Sequence, residues 1–108
     1  MAAEFGICVY RPKAPDDGQF RRKLDKHLEV LDAGGYLASR RHLILESETD
    51  GAILELLEWK SSDAAGRAHD DPGVMAIWAE LSEAADIIAL KDLAEADRTF
   101  PHFRPYRE

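Results

Sequence analysis

A single cysteine, Cys8, is all the chain carries. One cysteine excludes an intrachain disulfide and a thiolate metal cage. It sits among strand-forming apolar residues, where a buried, inert thiol is the ordinary outcome. No stretch reaches the ~20 apolar residues that a membrane span needs. Met1-Ala2-Ala3-Glu4 has no basic n-region and carries an acid, so it does not read as a signal peptide. The expectation is a cytoplasmic protein. Basic residues are outnumbered, 14 Lys and Arg against 21 Asp and Glu, for a formal net charge of -7. Such a surface repels phosphate backbones and anionic membranes. The nearest approach to a basic stripe, Arg21-Arg22-Lys23, reads as a solvated helix face. The four histidines show no His-x-x-x-His pairing, which argues against a metal site. Neither a Gly-x-Gly-x-x-Gly nor a phosphate loop is present, so no cofactor is expected.

What is present fits one globular domain. The 108 residues are 45% hydrophobic and 32% charged, too short for two ordinary domains. Phe5 to Tyr10 reads as a first strand, rich in β-formers. A loop broken by Pro12 and Pro15 follows. Asp16 then has Gln19 three residues on, in capping-box position. Phe20, Leu24, His27, Leu28 and Leu31 keep helical spacing with charges between them. Gly34-Gly35 ends that helix.

Tyr36 to Ser47 and Ala52 to Trp59 read as a hairpin about Asp50-Gly51. A two-residue turn sets Glu46 against Glu55, which is unfavourable. A three-residue turn sets His42 against Glu58 and is preferred. Ser61 or Ser62 can cap a short helix running to about Asp70. Asp71-Pro72 restarts it, with Asp as N-cap and Pro at the first position. Val74, Ile77, Trp78, Leu81 and Ala85 give the restarted helix one apolar face. Ile87 to Leu90 supply a fourth strand. From about residue 97 the tail is aromatic and proline-rich.

The order strand-helix-strand-strand-helix-strand is that of an α+β, ferredoxin-like fold with an antiparallel four-stranded sheet. Both helices then fall on one face of the sheet. The other face should alternate with polar residues if solvated, and it does not. Phe5, Ile7 and Val9 oppose Cys8 and Tyr10. Ile53, Leu57 and Trp59 oppose Leu54 and Leu56. Ile87 and Ala89 oppose Ile88 and Leu90. An apolar sheet face of that size marks an interface, so a homodimer packed sheet to sheet is expected. The competing possibility is that the tail covers the face within one chain.

Leu56-Leu57-Glu58-Trp59-Lys60-Ser61, followed by Ala65-Gly66-Arg67-Ala68-His69 and Val74-Met75-Ala76-Ile77-Trp78, resembles the antibiotic biosynthesis monooxygenase-like proteins. These belong to the dimeric α/β-barrel superfamily. The resemblance runs roughly from Phe5 to Asp92. It implies a dimeric α/β barrel with a pocket between sheet and helices in each subunit. It also implies cofactor-free oxygenation of a small phenol- or quinol-type aromatic as one activity of the family. The haem-degrading branch is the least similar. It carries an asparagine on the first strand, where this chain has Gly6 and Cys8, and the sequence contains no asparagine.

His69 could match the family histidine by position, and imidazole is the side chain suited to taking a phenolic proton near neutral pH. Interaction with the carbonyls ending its short helix would explain it equally. Trp59 and Trp78 can wall an aromatic ligand or simply pack the core. Tyr36 and His42 share a face if their strand is regular. There they could orient a ligand oxygen or pack across the sheet, and Arg41 is a further oxygen partner. His27 reads as a helix-face histidine with no special role, and His102 as part of a packed tail. Beside the oxygenase stand two other readings. One is a non-catalytic, small-ligand-binding or stress-related dimer. The other is an isomerase or lyase on the same scaffold, which fold alone does not separate.

Overall fold

The computed structural model describes residues 3–14 and 18–106. Its elements follow in the order β1 (Glu4–Pro12), α1 (Gln19–Ala33), β2 (Leu37–Ser47), β3 (Ile53–Trp59), α2 (Ala64–Ala68), α3 (Pro72–Ala84), β4 (Ala85–Ile88) and β5 (Phe103–Pro105). The strands form one antiparallel sheet in the order β4-β1-β3-β2-β5. This is an α+β, roughly ferredoxin-like arrangement with a fifth strand added at the β2 edge.

Helix α1 begins after Gly18, whose φ of 92° suits glycine. Asp16, the expected cap, lies outside the described residues. Gly35, at φ 76°, turns the chain out of α1, and its N–H donates to the Asp32 carbonyl. The buried stripe of α1 is Phe20, Leu24, His27 and Leu31. Phe20 and Leu24 pack with Ile77 and Leu81 of α3 against Tyr10, Ile44 and Ile53 of the sheet. Both long helices therefore share one face of the sheet.

Three boundaries differ from the sequence expectation. The α2 turn is flanked by Asp63 rather than capped by a serine, and Ser61 spends its hydroxyl on the Asp63 carboxylate. The fourth strand is Ala85–Ile88, two residues earlier than expected, and Leu90–Asp92 forms a 3₁₀ turn. Pairing of Tyr10 with Ile87 and Val9 with Ile88 fixes that position. The hairpin loop holds four residues, since Ser47 donates its N–H to the Ala52 carbonyl and Glu46 faces Ile53. Ser47 Oγ accepts from the N–H groups of Thr49 and Asp50, and Asp50 Oδ1 accepts from Ala52 N–H. These bonds stabilise the longer loop. His42 consequently faces Leu57, not Glu58. The difference has weight, because a one-residue change in register exchanges the faces of a strand.

The sheet face away from the helices is half covered. The tail from Leu90 to Phe103 folds across it, and Leu93 packs with Val9, Ala52 and Leu54, flanked by Leu45, Ile88 and Phe103. The tail thus covers more than expected of a short segment. Beyond it Phe5, Ile7 and Leu43 remain 54%, 51% and 50% exposed.

Asp71 caps α3 as expected, with its carboxylate accepting from the N–H groups of Gly73 and Val74. The Tyr36 hydroxyl donates to the same carboxylate at 2.8 Å, tying the start of β2 to the start of α3. Asp71→Ala removes both links. In thermal unfolding it should lower Tm by about 4–8 °C, the usual cost of a lost cap in a domain of this size. Asp71→Asn should recover most of the loss.

Candidate active site

Between the sheet and the helices lies a cavity of about 390 Å³. This is within the size range of small-ligand pockets. Gly6, Cys8 and Tyr10 of β1 and Leu57 and Trp59 of β3 line the sheet side. Trp78 and Ser82 of α3 and His69 line the helix side, with Glu55 and His27 between them.

Glu55 is fully buried on the central strand. A carboxylate there needs donors to replace lost water. Tyr10 donates its hydroxyl to Oε1 at 2.7 Å, His42 Nε2 bonds Oε2 at 2.7 Å, and His27 Nδ1 lies 2.9 Å from Oε2. His27 Nε2 in turn accepts from the Trp78 indole N–H at 2.9 Å. Indole nitrogen only donates, so His27 Nε2 carries no proton and its hydrogen sits on Nδ1, aimed at Glu55. One carboxylate thus joins β1, α1, β2 and, through His27, α3.

Burial pushes the Glu55 carboxyl up, but the hydrogen bonds from His27, His42 and Tyr10 outweigh it and hold it at about 2. Burial and the Glu55 charge raise the Tyr10 phenol, keeping it a donor. Burial also raises the Cys8 thiol, so it is a poor nucleophile.

The candidate residues divide clearly. Trp59, Trp78 and His69 meet at the cavity. His42 reaches the site through Glu55. Tyr36 is occupied with Asp71. Arg41 lies over the Phe5 ring, 6.0 Å from its centroid, on the opposite face of the sheet. His27, read as having no special role, is 3% exposed and central to the network. Glu55 was missed as a site residue, yet its signal was present. An acid at a helix-facing position of Ile53-Leu54-Glu55-Leu56-Leu57, opposite a histidine in the apolar stripe of α1, needs a buried partner.

The two tryptophans are held differently. Trp59 lies across Gly6, where an added Cβ would fall 2.6 Å from its Nε1. Only glycine admits the ring there, and the Trp59 N–H has no acceptor among the described residues. Trp78 meets His69 edge to face, with centroids 4.6 Å apart. His69 is exposed, and its ring nitrogens have no partner among the described residues.

No group of three or more metal-ligating side chains occurs among the described residues. No helix among them is long and apolar enough to cross a membrane. No family model, curated protein or solved structure matches the chain.

The Glu55 network generates a pH prediction. Its folded-state pKa lies below the unfolded value near 4.5, so it contributes stability above that pH. The contribution drains as pH falls from about 5 towards 2. Glu55→Gln replaces one acceptor oxygen with a donor, leaving a buried donor of the network unpaired. In denaturant titrations it should cost about 1–3 kcal/mol at pH 7 and flatten the acid limb of the stability profile.

Proposed function

We propose that the protein is a cofactor-independent monooxygenase of the antibiotic biosynthesis monooxygenase-like type, acting on a small phenol- or quinol-type aromatic. The observation that supports this best is the unpartnered imidazole of His69 beside an apolar cavity walled by Trp59 and Trp78. The Glu55 carboxylate is committed to three donors and His27 Nε2 to the Trp78 indole. Neither is free to take a proton, and His69 is.

In this reading the substrate ring lies between the two indoles. His69 removes a proton from the substrate hydroxyl or activated carbon, leaving an electron-rich anion. The anion reduces oxygen, and the carbon–oxygen bond that forms gives a hydroperoxide. Loss of water leaves a carbonyl. For a methylene carbon the balance is one substrate and one O₂ giving one ketone and one water, with the substrate supplying all the electrons. Arg41 lies on the other sheet face and the Tyr36 hydroxyl is spent on Asp71, so the Trp59 N–H takes the role of holding the substrate oxygen.

The working unit in this proposal is a homodimer, the pairing of a dimeric α/β barrel. The exposed Phe5, Ile7 and Leu43, side by side on the half of the sheet that the tail leaves open, are the contact. Light scattering should give about twice the mass of one chain, and Ile7→Lys should shift it to the monomer without unfolding it. A monomeric wild type removes this part of the proposal.

Oxygen uptake with a panel of phenols, quinols and anthrones tests the reaction. His69→Ala should lower turnover by about 10²–10⁴-fold while leaving Tm nearly unchanged, the usual effect of losing a general base. Full activity of that variant would move the base elsewhere. A wild type that binds an aromatic in this cavity and consumes no oxygen would favour the binding or isomerase reading.

A further inference from the structure

A second cavity, of about 680 Å³, lies on the opposite side of the sheet, under the tail. Its walls are apolar, with Leu45, Leu54 and Leu56 from the sheet and Leu93 and Phe103 from the tail. Among them is one carboxylate, Glu95, only 1% exposed.

Glu95 is incompletely satisfied. Its Oε2 accepts from the Ser47 hydroxyl at 2.7 Å. The buried Oε1 has no partner among the described residues. Ser47 cannot serve it as well. Its one hydrogen goes to Oε2, and its lone pairs accept from Thr49 and Asp50 N–H in the hairpin loop. Lys91 stands exposed at the cavity and makes no bond to the carboxylate. A buried carboxylate oxygen without a donor is costly. Tail and sheet hold it there nonetheless, in a space large enough for a ligand.

We propose that this second cavity is a binding site for a small apolar amine, whose ammonium completes Glu95 at Oε1 while its hydrocarbon body fills the leucine-lined space. A cation is favoured over a neutral donor because a charge-assisted bond to a buried carboxylate is the stronger kind. An anion is repelled by the same group. The net charge of -7 adds a long-range attraction for cations. A metal ion is poorly served, since no second carboxylate, histidine or thiol joins Glu95 in a cluster among the described residues. The inference is independent of the reaction assigned to the first cavity, which lies across the sheet.

Phenethylamine, phenethyl alcohol and 3-phenylpropionate share a body and differ in the head group. Calorimetry on the intact protein at neutral pH should show the amine binding at least about tenfold more tightly than the alcohol, with the acid weakest. Glu95→Gln keeps the shape and a bond to Ser47, and should bring the amine down to the affinity of the alcohol. Should that variant fail to fold, saturation-transfer NMR on the wild type locates the amine. Transfer from Phe103 and Leu93 supports the site, and transfer from Trp59 or His69 overturns it. No preference for the amine, or no binding because water or a second copy of the chain fills the space, also overturns it.

Discussion

A buried charge at the centre of the sheet is the constraint on which the rest of this molecule depends. Glu55 cannot be left alone in an apolar interior, so four elements are brought to it. Tyr10 comes from β1, His42 from β2 and His27 from α1, and Trp78 of α3 follows through His27. Apolar packing would let a helix slide or rotate by a little at modest cost, because burial has no direction. A hydrogen bond between two rings does not, so the position of α3 over the sheet is set by geometry as well as by contact area. The indole that walls the cavity, and beside it the imidazole of His69, inherit that placement. The polar groups at the floor of the pocket, Tyr10, His27 and Glu55, are bonded to one another, and the imidazole without a bond among the described residues, His69, stands at its exposed side.

The element order, the helix stripe and the Asp71-Pro72 restart were legible because each is local. A capping pair or a 3.6-residue period is written within one segment. The loop length was not legible from Asp50-Gly51, since the decisive bonds come from Ser47, three residues earlier, whose hydroxyl gathers the loop N–H groups. That four-residue loop puts His42 on the helix side with Glu55, where an odd-length loop would have turned it away. The Glu55 network joins residues 13 to 51 positions apart in the chain, and pairwise reading of neighbours does not find it. It was open to a simpler argument: a histidine in an apolar helix stripe and an acid in an apolar strand must each find a partner. His69 came from its family-like position and Trp59 and Trp78 from their aromatic surfaces, while Tyr36 and Arg41, offered as oxygen partners, lie away from the cavity.

The sheet also divides the molecule chemically. On the helix side the buried carboxylate is saturated with donors and the cavity beside it is left to aromatic surfaces. On the tail side the buried carboxylate has, among the described residues, only the Ser47 hydroxyl, and its cavity is walled by branched aliphatic residues. The same strands therefore present two buried carboxylates on opposite faces, one saturated with donors and one lacking a donor among the described residues. Successive residues of β3, Leu54 and Glu55, line different cavities.

The three residues of β5 have a consequence for how the chain behaves in crowded solution. A sheet has two edges, and a bare edge offers its unpaired backbone groups to any other extended chain. Here one edge is β4, only four residues long, and too short to template much. The other would be β2, with eleven residues. Phe103–Pro105 pairs along the part of β2 nearest the hairpin, and the new outer strand carries a charge at Arg104 and a proline at Pro105. Both discourage a further strand from adding. The tail that closes the second cavity thus also stands guard on the long edge. Cleavage of the chain before Phe103 would uncover the hairpin end of β2, Leu45 to Ser47, and lengthen the bare edge able to recruit strands from other molecules.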